Sequence, residues 1–184
     1  MNINRFLTLL ALIIIATFSR LFPHPFNFTP MIAIALFGGA YMKNIFQAVA
    51  LPIHILLITD ILIEIQTGFG FHSGTILVYA TFACIALMSI YLLQKITFVN
   101  VFFASISASL FFFLITNFAF FYPESAIANP VLGQYPHSLT GIIAAYEAGI
   151  PFLKNQIIGD LFYSGLLFGI FAFLERRISS IRIA

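Results

Sequence analysis

Residues 99–122, VNVFFASISASLFFFLITNFAFFY, contain no Asp, Glu, Lys or Arg. A helix of roughly 20 apolar residues matches the ~30 Å hydrocarbon core of a bilayer, and it satisfies its backbone amides internally, as a span must. Similar runs recur along the chain. Of its 184 positions 61% are hydrophobic and 8% charged, with mean hydropathy +1.07, which excludes an ordinary soluble domain. The expectation is an all-α polytopic membrane protein: one integral membrane domain over residues 1–184, with six transmembrane helices at about 6–22, 29–42, 45–65, 75–94, 99–122 and 155–174. The first run has the length of a signal peptide, but no A-x-A pattern follows it and another apolar run arrives within a few residues, so it reads as a span.

Short cytoplasmic loops carry the excess of Lys and Arg. With both termini inside, Arg5, Lys43, Lys95, Arg176, Arg177 and Arg182 are cytoplasmic, and only Arg20 and Lys154 face outward. Three connections then fall outside: PHPFNFTP at 23–30, QTGFGFHSG at 66–74, and the long segment 123–154. Pro23, Pro25 and Pro30 each fix φ and disfavour helix in the preceding residue, so they stop the first span and restart the second. In the long connection, Leu139, Ile142, Ile143 and Tyr146 stand at helical spacing after a capping Ser138. A short amphipathic helix at the interface is predicted there, ended by Pro151 before the last span.

Ionisable and amide groups are costly within a bilayer unless they face the bundle interior or water. Asp60 and Glu64 are i,i+4 and share a helix face. Asp160, Asn117 and Asn27 fall at a similar outer level, so these five are expected to line one outward pocket. His24, Tyr135 and Lys154 are further ligand candidates, and Phe26, Phe28, Phe69 and Phe71 would close the site. A ligand with a cationic or hydrogen-bond-donating part would suit the acids. Plainer readings stand beside these. Glu64 can simply meet interfacial water, Asp60 and Asp160 can bond neighbouring helices, and Lys154 can pair with Glu147. His54 reads as a helix-packing residue, Cys84 as a small core residue, and Gly165 with Gly169 as a site of helix packing within the chain rather than of dimerisation.

Several classes are disfavoured. Eight Lys and Arg against six acids, unclustered, do not make a nucleic-acid surface. One cysteine allows neither a disulfide within the chain nor a multi-thiolate metal site. His24, His72 and His137 lack ligand spacing, so no metal is expected. No nucleotide-binding or catalytic motif appears, and neither a cofactor nor an enzymatic activity is expected.

Three stretches carry a resemblance: RLFPHPFNFTPMIAIALFGGAY at 20–41, LPIHILLITDILIE at 51–64, and TNFAFF at 116–121 with YPHSLTGIIAAYEAGIPFLKNQIIGDLFYSGLLFG at 135–169. The chain resembles a bacterial family of transport-type membrane proteins, still a domain of unknown function, whose members are similar to S components of energy-coupling factor (ECF) transporters. That resemblance implies a six-helix S-component-like fold in the bacterial inner membrane, taking up a vitamin-like small organic nutrient from outside. It implies either docking on an ECF-type coupling protein with its ATPases or solitary operation. Ala11 and Ala16 stand five apart, where S components often carry A-x-x-x-A for docking. Rod-shape-determining MreD-like proteins share the fold type, so a non-transporting membrane scaffold is the second reading. An intramembrane enzyme is a distant third.

Overall fold

The computed structural model describes residues 2–42 and 44–182; Lys43, assigned above to a cytoplasmic turn, lies outside them. Six α-helices follow in order: α1 (Ile3–Phe18), α2 (Met31–Tyr41), α3 (Ile45–Thr67), α4 (Thr75–Leu92), α5 (Phe98–Thr116) and α6 (Leu139–Arg177). Short 3-10 turns lie at Ser19–Leu21, Ala119–Phe121 and Ser179–Ile181. All helices but α2 are long and apolar enough to cross a membrane, α1 when taken with its 3-10 turn. The caps are written in the sequence. Asn2, Asn44, Thr97 and Ser138 each accept a first-turn amide with their side chains, and Gly68 ends α3 in the left-handed region at φ 73°.

Helix α2 is the centre of the bundle. Met31 through Gly39 are all buried, which only a helix surrounded on every side achieves. It packs against α3, α4, α5 and α6. A Cβ at Gly39 would overlap Ser89 and the Ala86 carbonyl, so this glycine sets how closely α2 and α4 approach. With 11 residues, α2 is about 16 Å long, half the hydrocarbon thickness.

The preceding corner explains that shortness. His24, Pro25, Phe26 and Asn27 are exposed, and Asn27 takes φ 61°, a conformation Asn tolerates better than most residues. The chain then descends into the bundle. Phe28 stacks near Phe162 and Tyr163, at 5.9 and 5.7 Å between ring centroids, over Gly159, whose Cβ would lie 3.0 Å from the Phe28 Cα. The corner is therefore an exposed loop only in its first half. Non-helical backbone at this depth is tolerated because protein surrounds it.

The expected interfacial helix and last span are one continuous 39-residue helix, about 58 Å long. Pro151 removes one amide donor but does not end α6, because a single buried stripe runs through it: Gly141, Ala145, Gly149, Gln156, Asp160, Tyr163, Leu167 and Phe171. Conversely α5 stops at Thr116 rather than Tyr122. Asn117 caps it, with its amide nitrogen donating to the Phe113 carbonyl at 3.0 Å.

Other expectations are corrected. Cys84 is exposed. His54 is exposed too, its ring Nδ1 bonded to the Ala50 carbonyl at 2.6 Å within its own helix. Gly165 and Gly169 are exposed, with nothing within 4 Å of a built Cβ, so no helix of this chain packs on that pair.

At one end, the terminal end, Arg5 is buried, pairs with Glu175 and donates to the Ile181 carbonyl at 2.9 Å. Its guanidinium lies 4.8 Å from the Phe171 ring centroid and 5.5 Å from that of Tyr41. Asn2 donates to the Ser180 carbonyl at 2.9 Å. The opposite, loop end carries the α3–α4 loop and segment 117–138.

Candidate functional site

The polar residues expected to converge do reach the loop half of the bundle, but they do not line one cavity. They divide among three.

The largest of the three, about 550 Å³, lies where the C-terminus of α5, the α3–α4 loop, segment 119–135 and the first half of α6 meet. Its polar wall is His72, Ser73, Thr116, Asn117, Tyr122 and Tyr135, and among the described residues no Asp, Glu, Lys or Arg lines it. Each group is held by local structure. Gly149 lets Asn117 lie against α6: a Cβ there would come within 2.6 Å of the Asn117 Oδ1. His72 Nδ1 accepts the Gly74 amide at 3.1 Å, which leaves Nε2 as the donor of the neutral ring. Tyr122 donates to the Thr116 carbonyl at 2.6 Å and tethers the loop to α5. Burial pushes the Tyr122 and Tyr135 phenols above their ordinary value of 10.0, so both stay neutral at physiological pH. His137, also in this loop, bonds the Tyr122 carbonyl at 3.0 Å and stacks on Phe120.

A second cavity, about 150 Å³, shares His72 with the first and reaches Arg20, Asp60 and Tyr79. Here both oxygens of the Asp60 carboxylate are bonded. Oδ1 pairs with Arg20 at 2.5 Å and Oδ2 accepts the Tyr79 hydroxyl at 2.6 Å; Arg20 also donates to Thr59. This ring ties the end of α1 to α3 and α4.

A third cavity, about 40 Å³, is lined by Asn27, Thr29, Gln156, Asp160 and the apolar Ile32, Phe82 and Phe112. Phe152, Gln156 and Asp160 are i, i+4 and i+8 on α6, so this cavity lies one turn deeper than the first. Phe26 and Phe152 meet edge to face at 5.9 Å, at the level of the first cavity.

Three candidates lie apart from these walls. Glu64 is exposed, and its carboxylate accepts the Gly70 amide at 2.8 Å and the Phe71 amide at 3.2 Å, shaping the α3–α4 loop. His24 is exposed with its ring against the Pro25 carbonyl, and Lys154 is exposed on α6. Sequence reasoning missed Ser73, Tyr122 and the stretch 130–133 as cavity wall. No periodicity marks them; only the folding back of the long connection brings them together.

Residues 1–181 match the model of a family of unknown function, DUF6580, and the chain belongs to that family. No curated protein and no solved structure matches it.

Proposed function

We propose that the protein takes up a small organic molecule across the bacterial inner membrane, as a solitary transporter or as an S-component-like subunit that docks on an ECF-type coupling protein. In this reading the loop end faces outward, both termini are cytoplasmic, and α2 with its descending corner counts as the second of six crossings. The observation that supports it is the 550 Å³ cavity at the loop end, within the size range of small-molecule sites.

The cavity wall also revises the ligand. With Asp60 committed to Arg20 and Tyr79, and with no charged side chain in the large cavity, a cationic solute gains nothing there. The chemistry favours an uncharged, ring-sized molecule that exchanges hydrogen bonds with Asn117, His72 and Tyr135 and stacks on Phe152. Native mass spectrometry of the purified protein tests this. A neutral molecule copurifying with the wild type and lost in folded Asn117→Ala supports the reading. A molecule retained unchanged in both Asn117→Ala and Gly149→Val sinks it.

The second reading, a non-transporting scaffold, is favoured by one observation: the Arg20–Asp60–Tyr79 ring ties three segments together whether or not a solute binds. No catalytic role is assigned in either reading.

A further inference from the structure

Asp160 is 1% exposed, and it is the one buried acid without a cation in contact among the described residues. Its Oδ2 accepts the Ser109 hydroxyl at 2.7 Å; no hydrogen bond from the described residues reaches Oδ1, and since no fully buried side-chain polar atom lacks a partner among them, that oxygen borders the cavity. A carboxylate so placed demands compensation, because an uncompensated charge in a low-dielectric interior costs several kcal/mol. The surroundings are rich in oxygen. Gln156 gives its amide nitrogen to the Ser109 carbonyl at 3.2 Å, which leaves its amide oxygen unused. Asn27 and Thr29 line the same 40 Å³ cavity, larger than the roughly 10–15 Å³ a single water requires. The exposed Asn27 gives it an approach from the loop end.

We propose that this cavity is a binding site for one monovalent cation, sodium, held by Asp160 with oxygens of Ser109, Gln156, Thr29 and Asn27. Charge sets the valence. One carboxylate neutralises one positive charge, and a divalent ion would leave a net charge buried beside Phe82 and Phe112. Hard oxygen donors exclude soft metals, and the concentrated charge of a carboxylate favours the smaller sodium over potassium. A proton would also compensate the charge, and the response to sodium separates the two. The site does not depend on whether the large cavity carries a solute, since it is separate from it and one turn deeper on α6.

Two measurements on the detergent-purified full chain test the site. The first follows Tm in NaCl, KCl and choline chloride at one ionic strength. Sodium at a hundredfold excess over its Kd raises Tm by about 5 °C or more over the other two salts, and Asp160→Asn abolishes the difference. The second follows modification of Asp160 by dicyclohexylcarbodiimide, read by peptide mass spectrometry. Labelling falls at least tenfold in NaCl but not in KCl. Folded Ser109→Ala requires about tenfold more sodium for the same protection, which keeps the test open if Asp160→Asn does not fold. Equal Tm in all three salts, or labelling that responds to pH and ignores sodium, overturns the proposal.

Discussion

Each end of the bundle uses one arginine and one carboxylate, with opposite results. At the terminal end Arg5 is enclosed by Tyr41, Phe171, Glu175 and the Ile181 carbonyl, and the pair clasps the first helix to the last. At the loop end Arg20 and Asp60 stand at the edge of a 150 Å³ cavity that adjoins a larger one through His72. The same ion-pair chemistry closes one end and borders open space at the other. The difference lies in what surrounds the pair. Aromatic rings pack the first, whereas a loop and a neutral polar wall leave room beside the second.

The strongest test of that contrast is Arg5→Ala, expected to lower stability by about 3 kcal/mol, the low end for breaking a buried pair because Glu175 keeps some solvent. The checking measurement is thermal unfolding in detergent. If Arg20→Ala costs as much, the two ends are energetically alike and the contrast fails. Next in size is Gly149→Val. Its side chain would displace Asn117 and Phe113, costing about 2 kcal/mol by overpacking and removing any copurifying molecule.

Asp60→Asn is expected to cost about 1.5 kcal/mol, the value of its charge-assisted hydrogen bonds, and to leave a molecule in the large cavity bound. Loss of that molecule on native mass spectrometry would show that the two cavities act as one. The smallest effect is a pH dependence. With Tyr122 and Tyr135 raised above 10.0, the unfolded chain loses those phenol protons first as pH rises. Their contribution is therefore full below about pH 10 and declines above it. A chemical-denaturation series from pH 8 to 11 should show the decline, and Tyr135→Phe should lessen it; a flat profile would place these phenols in water.

Much of the architecture was legible in the chain. Long apolar runs gave five helices long enough to cross a membrane, and Ser138 as a cap gave the start of α6. The candidate site was legible only in level. Asn27, Asp60, Asn117 and Asp160 do lie in the loop half, because spacing along a helix fixes height. Which of them share a wall was not legible, because that depends on how helices rotate about their axes and on where 117–138 folds back.

Hydropathy and capping are local properties, and they determined what kind of chain this is and where most of its helices begin. Tertiary structure alone decided that α2 is a short buried post, that Pro151 lies inside a helix, that Gly165 and Gly169 face away from the protein, and that Asp60 is paired whereas Asp160 is left without a cation. Each of those depends on contacts between residues far apart in sequence, where packing outweighs local preference. A proline's missing hydrogen bond is a small loss against a continuous buried stripe, and a carboxylate's role follows from which partner the fold brings to it.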